Sequence, residues 1–154
     1  MSAVQNLPHP RLRSMTDADL PQIVKVEQAS YEFPWTLGIF RDCLRVGYHC
    51  YVLEGSSGPI GHGIMSIAVG ECHLLNICVH PDWQRRGFGR RIVEYLLDLA
   101  RQKHVRTALL EVRVSNAIAH KLYSDLGFNE VGMRHHYYPG RDGREDAIIL
   151  AREL

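Results

Sequence analysis

Apolar positions along the chain recur at two periods, and the alternation between those periods predicts its elements. Residues 12–15 read as a first strand. The polar run Thr16-Asp17-Ala18-Asp19 that follows has the form of a capping box, which starts a helix by satisfying its first N–H groups. Ile23, Val24, Val26 and Ala29 then give that helix an apolar face to about Ser30. Phe33-Pro34-Trp35 breaks it, and Thr36 is suited to cap a short second helix to about Arg45. Residues 49–54, 60–69 and 72–79 read as strands separated by Gly55-Ser56-Ser57-Gly58 and Gly70-Glu71, breaks that suggest antiparallel hairpins. Pro81 ends the last of these. Residues 87–103 read as a long amphipathic helix, with Ile92, Leu96 and Leu99 on one face and Val93 and Ala100 beside it. An apolar strand follows over 107–112, then a helix over 117–126 that stops at Gly127. Residues 131–133 and 147–150 close the chain as two strands around a loop containing Pro139-Gly140 and Asp142-Gly143. The order is strand, two helices, three strands, helix, strand, helix, two strands, which describes an α/β domain with a mixed sheet.

Composition narrows this without changing it. The chain has 154 residues, 45% hydrophobic and 23% charged, within the range of one globular domain with a real core. Residues 1–10 read as a flexible leader and residues 11–154 as a single domain. With 18 basic against 17 acidic residues the formal charge is +1, which argues against direct nucleic-acid binding. No signal peptide or spanning apolar run is seen, so the expectation is a cytoplasmic protein with no membrane partner. The four cysteines form no C-x-x-C and are expected as free thiols. The nine histidines are scattered without the spacing of a zinc site, so no metal is expected.

The clearest chemical signal is Gln84-Arg85-Arg86-Gly87-Phe88-Gly89, which lies at the mouth of the long helix. A helix N-terminus offers unpaired N–H groups and partial positive charge. Glycines let the backbone approach an anion, and Arg85, Arg86 and Arg90 add charge around it. The implied ligand is a phosphate or pyrophosphate, although a glycine-containing turn with a solvated basic face would look the same. The segment lacks the Gly-Lys-Ser/Thr of a Walker loop and the three glycines of a dinucleotide fingerprint.

Arg85-Arg86-Gly87-Phe88-Gly89 resembles the Q/R-x-x-G-x-G/A signature of the GCN5-related N-acetyltransferases (GNAT). The element order also matches that fold, a mixed, mostly antiparallel sheet of about seven strands flanked by about four helices. The resemblance covers the chain from Arg11 to Leu154. It implies acetyl-CoA as acetyl donor, with Arg85, Arg86, Gly87, Phe88, Gly89 and Arg90 at its pyrophosphate. Ile77, Cys78 and Val79 would line its pantetheine arm, with the Val79 N–H donating to the thioester oxygen. Cys78 stands where the family commonly has alanine.

Glu111 interrupts the apolar run Ala108-Leu109-Leu110 in a strand expected to be continuously hydrophobic. It is either a base raised in pKa by partial desolvation, or a carboxylate that simply pairs with Arg113 or lies at the strand's wet end. Tyr123 lies two helical turns after Asn116, so the two share a face. On residues alone, a tyrosine on an apolar helix face is usually core with its hydroxyl tied off. Ser115-Asn116-x-x-Ala119-x-x-Leu122-Tyr123-x-x-Leu126-Gly127-Phe128 resembles the second cofactor element of the family, which implies Asn116 as a coenzyme contact and Tyr123 as general acid.

Within the family, Glu32-Phe33-Pro34-Trp35, Leu110-Glu111-Val112-Arg113-x-Ser115-Asn116, and Tyr137-Tyr138-Pro139 with Gly143-Arg144-Glu145-Asp146-Ala147 resemble the bacterial ribosomal-protein alanine acetyltransferases. That resemblance implies Glu111 as general base and, as partner, the N-terminal alanine of a small-subunit ribosomal protein. Phe33, Trp35, Tyr137 and Tyr138 would shape the peptide groove, the alternative for them being loop packing. Two rival functions stand beside this one: acetylation of lysine or a small amine, and acetyl-CoA binding without turnover.

Overall fold

The expected element order recurs in the computed structural model, which describes residues 10–154; the leader expected over 1–10 lies, except for Pro10, outside the described residues. The elements are β1 (Arg11–Ser14), α1 (Leu20–Ser30), α2 (Leu37–Arg45), β2 (His49–Gly55), β3 (Gly58–Ala68), β4 (Glu71–Val79), α3 (Phe88–Gln102), β5 (Thr107–Arg113), α4 (Ala117–Asp125), β6 (Asn129–Gly140) and β7 (Gly143–Glu153). Short 3-10 turns at Asp17–Asp19 and Pro81–Trp83 precede α1 and α3. The seven strands form one sheet in the order β1-β2-β3-β4-β5-β7-β6. β1 pairs antiparallel with β2, and β7 antiparallel with β5 and β6, whereas β4 and β5 run parallel from Glu71↔Thr107 to Leu74↔Leu110.

Local chemistry sets the helix starts. The capping box forms as expected: the Asp19 carboxylate accepts from the Thr16 N–H at 2.8 Å. Arg13 grips the same carboxylate with two bonds of 2.8 Å, so β1 is tied to the start of α1. The Thr36 hydroxyl accepts from the Ile39 N–H at 3.3 Å and caps α2.

The last hairpin departs from expectation. Residues 134–146, expected as loop, belong almost wholly to β6 and β7, whose register runs to Gly140↔Gly143. Much of β6 is exposed, so no apolar alternation marks it, and its Pro139-Gly140 lies at the hairpin end. A register shift between Arg134 and Tyr138 accommodates His136 at φ +53°. Side chains of β7 hold this bulge: Arg144 donates to the His136 and Tyr137 carbonyls at 2.8 Å each, and Asp146 accepts from the His136 N–H at 2.8 Å.

The chain divides into two compact units. One takes in the described residues to Ile64 together with Asn76–Tyr95, the other Met65–Leu75 with Leu96–Leu154. The first buries Ile23, Val26, Phe40, Leu53, Ile64 and Ile92 completely or nearly so; the second buries Leu74, Leu96, Leu97, Ala108, Leu110 and Ala147. Each large side chain so covered stabilises the fold by about 1.5–3 kcal/mol. In the first unit β3 and β4 approach so closely at Gly61 that an added Cβ would lie 2.7 Å from the Cys78 carbonyl oxygen, so only glycine fits there.

Candidate active site

In the first unit, the end of β4 and the loop after it carry the residues expected at the donor. A strand residue presents its N–H and C=O to the same edge, and successive residues alternate. The His80 N–H donates to the Ile60 carbonyl at 2.8 Å, so Ile77 and Val79 face the edge away from β3. There the Val79 carbonyl accepts from Ser30 Oγ at 3.2 Å and Gln84 Nε2 at 2.9 Å, and the Ile77 carbonyl accepts from the Tyr31 hydroxyl. Side chains thus hold the carbonyls of the edge to which the Val79 N–H belongs. Gln84, the first residue of the anion motif, ties the loop to the strand.

The loop bends through two left-handed residues, Arg85 at φ +64° and Gly87 at φ +81°. Holding Arg85 there costs on the order of 1 kcal/mol, a strain typical of ligand-gripping loops. Gly87 is exposed, and a Cβ on it would meet open space, so conformation and not room requires glycine. Arg86 lies over the Trp83 ring at 5.1 Å, and Trp83 packs on Phe88 at 6.2 Å. Arg90 is drawn along α3 to Glu94 at 2.9 Å. The Cys78 side chain is buried and directs its thiol at the Val26 carbonyl at 3.9 Å; burial pushes its pKa up to about 12.

In the second unit, Glu111 projects from β5 with its side chain only 8% exposed. Arg134 Nε donates to Oε1 at 3.2 Å, and His73 on β4 bonds Oε2 through Nε2. Arg113, the alternative partner weighed for it, lies over the Tyr138 ring at 4.5 Å and donates to Glu145 at 3.2 Å and the Pro139 carbonyl at 2.7 Å. The Glu111 pKa is not raised. Burial pushes it up, but the hydrogen bond and charge of His73 and the charge of Arg134 outweigh burial and hold the carboxyl below its ordinary value.

Asn116 caps α4 by accepting from the Ala119 N–H at 3.1 Å. Tyr123 is buried edge-on against Phe128 at 5.6 Å, and burial raises its phenol well above the ordinary range, so it is protonated at neutral pH. Tyr137 and Tyr138 pack edge-on at 4.9 Å, with Arg134 over the first at 5.5 Å. In the first unit Phe33 is exposed, while Trp35 is half-buried against Phe40 at 5.4 Å.

The sequence reading missed His73 and Arg134 at Glu111, and also a sealed network in the first unit. Glu27 accepts from His62 Nε2 at 3.0 Å, from Asn76 Nδ2 at 3.2 Å and from the Trp35 N–H at 3.0 Å. Donor atoms of Glu27, His62 and Cys78 lie within 4.8 Å of one another, a set able to surround a metal ion. Hydrogen bonds already satisfy the carboxylate, however, and a metal on His62 Nε2 would force the proton onto Nδ1, which is buried without a partner. The set is a hydrogen-bonded brace between α1, Trp35 and β4. Among the described residues no helix is long and apolar enough to cross a membrane.

The sequence profile of the Acetyltransferase (GNAT) family matches residues 11–128. The chain is 41% identical over 140 residues to the ribosomal protein bS18-alanine N-acetyltransferase of Escherichia coli strain K12, covering 91% of this chain and 95% of that one. The crystal structure of the ribosomal-protein-S18-alanine N-acetyltransferase from Escherichia coli superposes with a TM-score of 0.87 at 40% identity, covering 94% and 93% of the two chains. The fold is also that of a GNAT phosphinothricin acetyltransferase from Sinorhizobium meliloti in complex with AcCoA, with a TM-score of 0.79, 18% identity and 96% and 89% coverage.

Proposed function

The chain belongs to the GNAT family and is an N-acetyltransferase, and from that premise we propose that it moves the acetyl group of acetyl-CoA to the N-terminal alanine amine of ribosomal protein bS18. One observation carries the choice of acceptor: the 41% identity, over nine-tenths of the chain, to an enzyme named for that substrate. The cytoplasm, where ribosomal proteins are met, is the proposed setting.

On the donor side, the left-handed turn at Arg85 and Gly87 and the start of α3 receive the pyrophosphate, with Arg86, Phe88, Gly89 and Arg90 around it. Asn116 contributes to coenzyme binding, and Ile77, Cys78 and Val79 flank the pantetheine arm at the end of β4. The Val79 N–H donates to the thioester oxygen as negative charge develops there. Phe33, Trp35, Tyr137 and Tyr138 hold the peptide, and Glu111 serves the acceptor amine. In the transfer a proton leaves the ammonium towards the Glu111 side, and the freed electron pair forms the N–C bond. The C–S bond breaks as Tyr123 gives its phenolic proton to the departing sulfur, and the second proton lost from the acetylated nitrogen restores the phenol. Attack is direct: the Cys78 thiol, raised to about 12 and turned to Val26, is a poor nucleophile for an acyl-enzyme.

The test is acetyl-CoA turnover with short peptides. Peptides beginning with a free alanine are expected to be acetylated, and matched peptides with a blocked N-terminus and an internal lysine are not. Turnover confined to the blocked lysine peptides overturns the assignment.

A further inference from the structure

We infer that Gly61 is a positioning residue for acetyl transfer: because it carries no side chain, the Cys78–Val79 peptide lies against β3 at the tilt that aims the Val79 N–H at the thioester oxygen. This rests on the donor reading above, in which that N–H meets the developing negative charge, and assigns what holds it in place. A single peptide plane joins β3 to the donor. Its carbonyl is that of Cys78 and faces β3, whereas its N–H is that of Val79 and faces the opposite edge; the bond from the His80 N–H to the Ile60 carbonyl, 2.8 Å long, sets this alternation. A Cβ on residue 61 would lie 2.7 Å from the Cys78 oxygen and 3.5 Å from Val79 Cα. A carbon and a carbonyl oxygen meet at ~3.3 Å, so a side chain at 61 displaces that oxygen by on the order of half an ångström.

A peptide is planar, with its C=O and N–H on opposite sides of the C–N bond, so the two turn together. The least disruptive relief for a Cβ at 61 is rotation of this plane about the line from Cys78 Cα to Val79 Cα, which leaves both side chains in place. β3 has no comparable freedom, because the His80 bond holds Ile60 and the strand is buried from Ile60 to Ile64. The next peptide along β4 is fixed as well: the Val79 carbonyl accepts from Ser30 Oγ at 3.2 Å and from Gln84 Nε2 at 2.9 Å. The displacement therefore falls on the Cys78–Val79 plane and swings the N–H off its line. Donation weakens steeply with misalignment, and an oxyanion donor works by being aimed before the charge forms. Gly55 supplies a contrast in the same hairpin, since a Cβ there would meet first the Ile60 side chain, at 3.2 Å from its Cγ2, and not the donor peptide.

The deciding experiment is the infrared carbonyl stretch of bound acetyl-CoA, isolated by a carbon-13 label at the thioester carbonyl, for wild type, Gly61→Ala and Gly55→Ala without peptide. A hydrogen bond to the thioester oxygen lowers the stretch, so wild type is expected to displace it below that of free acetyl-CoA. In Gly61→Ala that displacement should be at least about halved. Its kcat on the alanine peptide should fall about tenfold or more, with the dissociation constant for acetyl-CoA within about threefold of wild type. Gly55→Ala should keep the wild-type displacement and kcat. Gly61→Ala/Ile92→Val separates aim from crowding, because Ile92 Cδ1, which would lie 3.4 Å from the added Cβ, is gone while the Cys78 carbonyl remains. Its kcat is expected to stay low. Recovery of kcat in that variant, an unchanged stretch in Gly61→Ala, or an equal loss in Gly55→Ala overturns the proposal. If Gly61→Ala does not fold, the double variant decides on the same stretch and kcat. Wild type that binds acetyl-CoA without displacing the stretch overturns the Val79 donation itself and the role of Gly61 with it. Wild type that displaces the stretch but accepts only lysine peptides overturns the alanine assignment alone, and kcat is then read on the lysine peptide.

Discussion

Among the described residues, two glutamate–histidine pairs are built from the same two side chains. In the first unit Glu27 and His62 have side chains 2% and 0% exposed, and the carboxylate is closed off by the Asn76 amide and the Trp35 N–H. In the second unit Glu111 and His73 are 8% and 31% exposed, and the third partner is the guanidinium of Arg134. Every donor around Glu27 is used to join chain segments: α1 to the turn at Trp35 and to β4. Around Glu111 one partner keeps a ring that solvent reaches. Residue type therefore does not distinguish a brace from a reactive pair. What distinguishes them is whether a proton can leave the pair without breaking the fold.

The comparison breaks most readily at Glu27. Glu27→Ala would strand the His62 ring, the Asn76 amide and the Trp35 N–H in the interior, at a cost of about 3–5 kcal/mol. That is a large share of an ordinary domain's stability, and urea titration measures it. A loss under about 1 kcal/mol would mean that water replaces the carboxylate and that the pair is no brace. Glu111→Gln is the opposite case. Its kcat on the alanine peptide is expected to fall on the order of a hundredfold, while the urea midpoint moves by no more than about 1 kcal/mol of stability. A variant equally damaged in both measurements would erase the contrast.

How far each pair was legible in the sequence follows from the same geometry. Glu111 could be found because it interrupts Ala108-Leu109-Leu110 on one strand. Its partners could not, because His73 and Arg134 lie 38 and 23 residues away and meet it only through the sheet order β4-β5-β7-β6. The alternative partner, Arg113, sits on the same strand and engages Glu145 and Tyr138. Glu27 left a local signal that went unread: it follows Ile23 by four residues on the buried face of α1. His62 left another, standing within the buried run from Ile60 to Met65. The element order was readable throughout because caps and periodicity are local. The length of β6 and β7 was not, because those strands are defined by pairing with each other across an exposed, largely polar stretch.

His62→Phe sharpens the comparison with a smaller effect. The ring already meets Phe40 edge-on at 5.2 Å, so an aromatic replacement keeps much of the packing and removes only the hydrogen bond to Glu27. The expected cost is about 1–3 kcal/mol, that of a buried acceptor deprived of one donor, with kcat on the alanine peptide within about threefold of wild type. A loss of rate without loss of stability would move His62 from the brace to the chemistry.

The smallest effect separates the pairs by pH. Because the partners of Glu111 hold its folded-state pKa below the ordinary carboxylate value, its share of stability is fully present above the unfolded value, near ~4.3, and is lost as pH falls through the folded value. Asp19, lowered by its hydrogen bonds with Arg13, titrates in the same acid window. Subtracting the urea profile of Glu111→Gln from that of wild type removes Asp19, which both proteins share. The difference should be about 1 kcal/mol, the size of one net hydrogen bond, constant from pH 7 to about 5 and shrinking below about 4. A difference that instead grew on acidification would mean that the folded protein raises the Glu111 pKa. The carboxylate would then be tuned upward, nearer the range in which it exchanges a proton with an amine.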